Sequence, residues 1–357
     1  MALSTFIVNT GVVGGTGDGS NLANAYSSTA AAIAARATNL IGTGNSHLIL
    51  TYATTGIADT SIIDTSAYGC SYTSGETLTI KCGDTITAAW NDAIYSVRSS
   101  NVAYVTRVYG SGIILDGLQI YLTGLNANYQ LPLSITNASV GNPQVVKNCL
   151  IRNANQSVFR ERGTYISIGI NRQVYFYNNI IYNTTTTVAH TASNALYLSA
   201  TDATCVFKFY KNVLSGGYNS IFYTTGLTQI TAKNNIICNA ANALFTNTPT
   251  WSADTGYNAT DKATGLSTAL TERHGQTFTF NDSVNGNFSL NVNDTGAKSF
   301  GVTLAADTPA VTTDRINVNL VTPFDIGAYQ YVAPPSGESV NLISGLLNTV
   351  NIRGRIS

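Results

Sequence analysis

Five short strings in the middle of the chain repeat one another: ILDGLQIYL at 114–122, VKNCLIRNA at 146–154, YNNIIYNT at 177–184, YKNVLSGG at 210–217 and KNNIICNA at 233–240. Aligned on Gly117, Asn148, Asn179, Asn212 and Asn235, they stand 31, 31, 33 and 23 residues apart. The next position is Leu118, Cys149, Ile180, Val213 or Ile236, and the one after it Gln119, Leu150, Ile181, Leu214 or Ile237. The preceding position is polar each time: Asp116, Lys147, Asn178, Lys211, Asn234. A unit this short cannot bury its own apolar face, so successive units must stack. Stacking places equivalent residues about 4.8 Å apart, the spacing of paired strands, and turns like residues into ladders. Asn and Gly tolerate left-handed backbone angles, which suits a sharp bend between two strands of one coil. Coils of roughly 25 residues over 45–250 predict about eight of them, a rod on the order of 40 Å long.

Composition agrees with such a rod. Only 10% of the 357 residues are charged, 18 Lys+Arg against 18 Asp+Glu, whereas globular domains carry roughly 25%. Asn, Thr, Ser, Gly and Tyr take the place of charge. A net charge of zero argues against tracking a phosphate backbone, so no nucleic-acid partner is expected. No run approaches the ~18 apolar residues of a membrane span, and MALSTFIVNTGVVGG carries no secretory signal. The five cysteines are scattered without a CxxC pair, which predicts reduced thiols, with Cys149, Cys205 and Cys238 as small core residues. Helical spacing is confined to 21–36, NLANAYSSTAAAIAAR. The GGTGDGS before it reads as a turn, not a phosphate or calcium loop.

With these columns the chain resembles the right-handed parallel β-helix proteins, the architecture of pectate lyases and phage tailspikes. The Asn-bearing bends look like the asparagine ladder of that fold. The stretch NGNFSLNVNDTGAKSFGV, then Asp314-Arg315, then PFDIGAYQY at 323–331, is similar to the closing segment of a β-helix-repeat family. The opening GGTGDGSNLANAYSS looks like the segment in which a short helix plugs the first coil. The resemblance implies an all-β fold: a right-handed parallel β-helix, a single-stranded solenoid with a short N-terminal capping helix. It divides the chain into an N-terminal opening and capping segment (1–44), parallel β-helix coils (45–250), C-terminal coils with the closing segment (251–331), and a linker with an apolar tail (332–357).

The chemistry-bearing residues are thinly spread. β-Helix enzymes acting on polysaccharides need clustered carboxylates, or carboxylates holding calcium beside a base. Between Asp116 and Asp202 the only acid is Glu161, flanked by Arg160 and Arg162 as in a solvated loop cluster. Asp59, Asp64, Asp84 and Asp92 fall in early coils, and His47, His190 and His274 lack metal-ligand spacing. Asp314, Arg315 and Asp325 are expected to hydrogen-bond the last coil. Alternation points about half of Tyr175, Tyr177, Tyr197, Phe207, Phe209, Tyr210, Phe222 and Tyr223 inward, leaving the rest for a sugar-stacking face. No catalytic residue, metal or cofactor is expected.

These features favour a non-enzymatic structural protein of a virus particle, made in the host cytoplasm: a capsid decoration, head fibre or knob, or tail-fibre component, possessing a surface for host glycan. The resemblance to phage spikes implies a homotrimer. A polysaccharide lyase or hydrolase on the same scaffold is the alternative. After APPSGES, the tail residues Val340, Leu342, Ile343, Leu346 and Leu347 form a docking set. They serve either other particle proteins or the chain's own stack, and the sequence leaves both open.

Overall fold

A computed structural model describes residues 3–36, 45–66, 76–100, 102–123, 131–136, 142–154, 162–169, 171–184, 194–200, 202, 204–216, 220–225, 229–240, 243–247 and 249–332. The repeats become short strands because each is rich in Val, Ile, Leu, Phe, Tyr and Thr and alternates in burial; Ser46–Tyr52, for example, buries every second residue. Gln173–Tyr177, Ile180–Asn183 and Asn194–Ala200 lie in three different sheets, and the next strand, Val206–Tyr210, pairs with the first of them. Leu3–Asn9 pairs with Ser46–Tyr52 and that strand with Leu78–Cys82, and from Ile63–Asp64 onward pairing within the three large sheets joins each strand to the one three places on, always in parallel. The first sheet has nine strands, from Leu3–Asn9 to Thr250–Trp251. The second runs from Ser96–Ser99 to Ala259–Thr260 and the third from Ile63–Asp64 to Ala243–Thr246, with seven strands each. Long parallel sheets stacked in this order are consistent with a parallel β-helix. Nine strands span roughly 38 Å at the usual strand spacing.

The interior is made of ladders. Val97, Ile120, Ile151, Ile181, Leu214 and Ile237 are in register across the second sheet and all belong to one continuous core. Leu115, Val146, Phe176 and Phe209 do the same in the first, the two phenylalanine rings 5.8 Å apart. Each such residue is nearly inaccessible to water, and burial of a side chain of this kind contributes about 1.5–3 kcal/mol.

The helix forms in the expected window but is shorter, Thr29–Arg36. Asn21 Oδ1 accepts the N–H groups of Ala23 and Asn24, a side-chain turn that competes with helix over 21–24. Ser28 Oγ then accepts from Ala31 N as an N-cap does. The helix rests on the strands that begin the first and third sheets, with Ala32 and Ile33 buried.

The second sheet is buried on both faces, which single-sided alternation does not explain. Leu150, Ile180, Val213, Ile236 and Ala259 point outward, yet they are covered by Phe288, Leu290, Ile326, Ala328 and Tyr329. After the last coil the chain makes an antiparallel hairpin, Phe280–Asp282 with Asn287–Leu290. It then returns along the outside of the stack as an irregular strap to residue 331. Arg315 Nη1 donates to Thr87 O, and Tyr329 Oη donates to Ala88 O, each at 2.5 Å. The closing residues therefore hold early coils as well as late ones. At Gly327 (φ 95°) a Cβ would sit 2.6 Å from Ile236 Cδ1, so the strap reaches the outward ladder only because this residue lacks one. Gly327→Val is expected to lift the strap and leave the coils paired. Cleavage by trypsin at Lys298 and Arg315 should quicken at least about tenfold, while that at Lys81 should not.

Candidate functional site

The five aligned bend residues fall into two adjacent columns. Strand register places Gly117, Asn148, Asn178, Lys211 and Asn234 in line, and Leu118, Cys149, Asn179, Asn212 and Asn235 in the next line. All five residues of the first column have left-handed φ, between 54° and 73°. The second column is the hydrogen-bonded ladder. Asn212 Nδ2 donates to Asn235 Oδ1 (3.0 Å) and to Phe176 O (2.9 Å), and Asn212 Oδ1 accepts from Asn179 N and Nδ2. Asn179 and Asn235 repeat the pattern one coil on either side. The aligned five thus bring together Asn179, Asn212 and Asn235, with Gly117 and Asn148 one residue out of line.

Asn258, which the alignment omitted, is the next rung, accepting from Asn235 and donating to Ala232 O. Its second donor bond goes to the buried carboxylate of Glu272, which ends the ladder; burial pushes that carboxyl above its ordinary value. The 23-residue step from Asn235 to Asn258 equals the preceding one, and this was the signal in the sequence.

The left-handed column faces outward and grips the strap. Asn178 Nδ2 donates to Thr313 O, Lys211 Nζ to Asp325 O and Asn234 Nδ2 to Val302 O. On the strap side, the Asp314 carboxylate accepts the N–H groups of Ile316, Val318 and Gln330, and Asp325 accepts those of Ser299 and Tyr331. Desolvation pushes both carboxyls above their ordinary values.

The four early acids serve three local structures. Asp59 accepts from Thr29 N and Tyr95 Oη, and Asp84 from Tyr95 N and Ala53 N, so the two occupy opposite ends of one buried tyrosine. Asp64 meets Ser66 N and Tyr104 Oη; Asp92 meets the Trp90 indole and Arg98. His47 stacks on Phe6 at 5.6 Å, and burial lowers its pKa. Among the described residues no three His, Cys, Asp or Glu side chains converge as a metal site requires. Cys82, Cys149, Cys205 and Cys238 are buried free thiols, and burial pushes the pKa of Cys82, Cys149 and Cys238 up to about 12. Arg160, Glu161, His190 and the tail residues Val340, Leu342, Ile343, Leu346 and Leu347 lie outside the described residues. Among those described, no helix is long and apolar enough to cross a membrane.

The aromatic residues divide by alternation. Phe207, Phe209, Phe222, Tyr210 and Tyr175 are buried, whereas Tyr177, Tyr197 and Tyr223 are partly exposed. On the outer face of the third sheet one column runs Arg107, Ser134, Tyr165, Tyr197, Tyr223, Thr246. Beside it runs a second: Tyr109, Thr136, Ser167, Ser199, Thr225. The Tyr197 and Tyr223 rings stack at 4.7 Å and 13°, and Tyr165 lies 5.2 Å from Tyr197. Rings stacked this closely cover each other's faces and present their edges and phenol groups. The result is a hydroxyl-bearing strip, repeated at the coil spacing, and not an open aromatic platform. Its one cation, Arg107, lies 3.8 Å from Asp64 and beside the Tyr104 and Tyr109 rings. Such a surface suits an uncharged, hydroxyl-rich ligand, for which it offers both donors and acceptors. No family model, curated protein or solved structure matches the chain.

Proposed function

We propose that this protein is a non-enzymatic structural component of a virus particle: a right-handed parallel β-helix of the pectate-lyase-like and phage-spike type, capped by its short helix, that meets a host-surface glycan. It is a capsid decoration, head fibre or knob, or tail-fibre component, located in the virion, and it assembles as a homotrimer alongside other particle proteins. The observation that carries the binding role is the third sheet's outer face, with its two in-register columns of tyrosine, serine and threonine. The early acids support a non-catalytic role, since Asp59 and Asp84 are taken up by Tyr95 and backbone N–H groups, Asp64 by Ser66 N and Tyr104, and Asp92 by the Trp90 indole and Arg98. A rod locked lengthwise by its own strap is suited to holding a surface at a fixed distance.

Mass spectrometry of purified particles should find the protein in stoichiometric amount. A glycan array should show binding that weakens at least about tenfold in a Tyr197→Ala, Tyr223→Ala double variant with an unchanged far-ultraviolet spectrum. Absence from particles would overturn the virion assignment. Release of reducing ends or unsaturated products from a polysaccharide panel would instead establish the lyase or hydrolase alternative.

A further inference from the structure

At the far end of the stack the three sheets do not finish together. The third ends at Ala243–Thr246 and the first at Thr250–Trp251, while the second gains one more rung where Arg273 pairs with Ala259. Over the two shorter edges lies a cleft of about 760 Å³, lined by Phe245, Trp251, Ala253, Ala263, Leu266 and Ala269. Phe245 and Trp251 rest on the coil interior from one side, the Trp251 ring edge-on to Phe222 at 5.8 Å. The Trp251 indole N–H is buried and has no acceptor among the described residues. An indole N–H left so keeps the cost of its lost hydration uncompensated, and an exposed strand edge invites pairing with other chains. Stacked-repeat proteins close such ends with a capping segment. The cleft calls for a segment that brings aliphatic side chains and a carbonyl oxygen.

The described chain leaves at Val332, which with Tyr331 lines a pocket that Asn281 and Leu290 also line. Asn281 is seven residues from His274, which also lines the cleft, so the two are at most about 25 Å apart. The eight steps from Val332 to Val340 span about 26–29 Å when extended, which leaves a few ångströms beyond that limit to cross the pocket between Val332 and Asn281, and Leu342, Ile343, Leu346 and Leu347 follow directly. We propose that residues 340–347 of this same chain fill the cleft, with one of their backbone carbonyls accepting the Trp251 N–H. The short tether favours the chain's own tail over that of a second copy, because it holds the segment at an effective concentration on the order of millimolar.

Hydrogen exchange followed by mass spectrometry on the full chain tests this. Amides in 340–347 should exchange at least about tenfold slower than those in 350–357, and a hundredfold dilution should leave the difference unchanged. Leu346→Asp with Leu347→Asp should bring the tail to free-chain rates and also speed exchange in 263–269. Trp251→Phe, which keeps the packing and removes the donor, should give a smaller acceleration in the same two places. Free-chain exchange of 340–347 in the unaltered protein would overturn the proposal. So would protection lost on dilution, which would place a second copy in the cleft. Exchange in 263–269 that ignores the tail substitutions would overturn it too, by showing that the tail docks elsewhere.

Discussion

Asn212→Ala is expected to lower the free energy of unfolding by about 3–5 kcal/mol, several times the cost of Asn148→Gly, although a repeat alignment treats the two positions as equivalent. Asn212 is fully buried and makes two donor and two acceptor bonds through its amide. Truncation leaves Phe176 O and Asn179 N without those partners in a region closed to water, and each stranded group costs about 1–3 kcal/mol. Asn148 has φ 57°, an angle that glycine accepts without strain. Its side chain bonds Asp116 and receives a bond from Asn178, but Asp116 keeps Lys147 at 3.4 Å and Asn178 keeps Thr313 O. Asn148→Gly should therefore cost about 1 kcal/mol, and Asn148→Ala more, because alanine adds left-handed strain of about 1–2 kcal/mol. At Asn212, where φ is not left-handed, glycine should offer no relief. Urea midpoints for the variants read this directly. Equal costs at the two positions would mean that the columns do not divide the work as their hydrogen bonds indicate.

That contrast also marks how far the sequence could be read. The stacking was legible because inward residues such as Ile151, Ile181 and Leu214 recur with polar neighbours, and only a stacked arrangement buries them all. The register at the bend was legible to within one residue. Asn occurs in both columns, at 148 and 178 for its tolerance of positive φ and at 179, 212 and 235 for its paired amide donors and acceptors. With two asparagines in a row at 178–179 and again at 234–235, composition cannot say which one aligns with Asn148. The strap was less legible still. Asp314, Arg315 and Asp325 were expected at the last coil, but Arg315 reaches Thr87, 228 positions away. Nothing local encodes such a contact. What the sequence did contain was the consequence, namely outward aliphatics at Ile180, Val213 and Ile236 that a one-sided strand has no reason to carry. The third-sheet strip was half legible: alternation leaves about half of the eight aromatic residues facing outward, but which ones, and the mutual stacking of Tyr197 and Tyr223 that turns their faces away from a ligand, needed the register.

Lys211→Met is expected to stabilise the protein at pH 7 and to lose that advantage by pH 9.5. Lys211 occupies the left-handed column where the neighbouring coils have asparagine, and it is buried completely between the stack and the strap. Burial lowers its pKa from 10.5 to about 8, against the opposing pull of Asp325 and Asp314, the acids facing it from the strap. Between those two values the unfolded chain holds a proton that the folded chain has released, so stability contributed by this group rises with pH. Below about pH 8 both states are protonated and the folded state bears the full desolvation cost, equivalent to about 3 kcal/mol. Methionine keeps much of the stem and removes the charge, but it leaves Asp325 O without its donor, a loss of about 1 kcal/mol. The net gain at pH 7 should be about 1–2 kcal/mol, falling to zero or below once Lys211 is neutral in the parent protein. The absolute pH profile bends the other way, because Cys82, Cys149 and Cys238 titrate at about 12 when folded and near 9 when unfolded, which removes stability above pH 9. The difference between variant and parent cancels that contribution. Urea midpoints of both proteins at pH 6.5, 7.5, 8.5 and 9.5 should show the gap closing through pH 8–9.5. A gap that stays constant across this range would mean that Lys211 keeps its charge in the folded protein, and that the strap docks on a cation throughout.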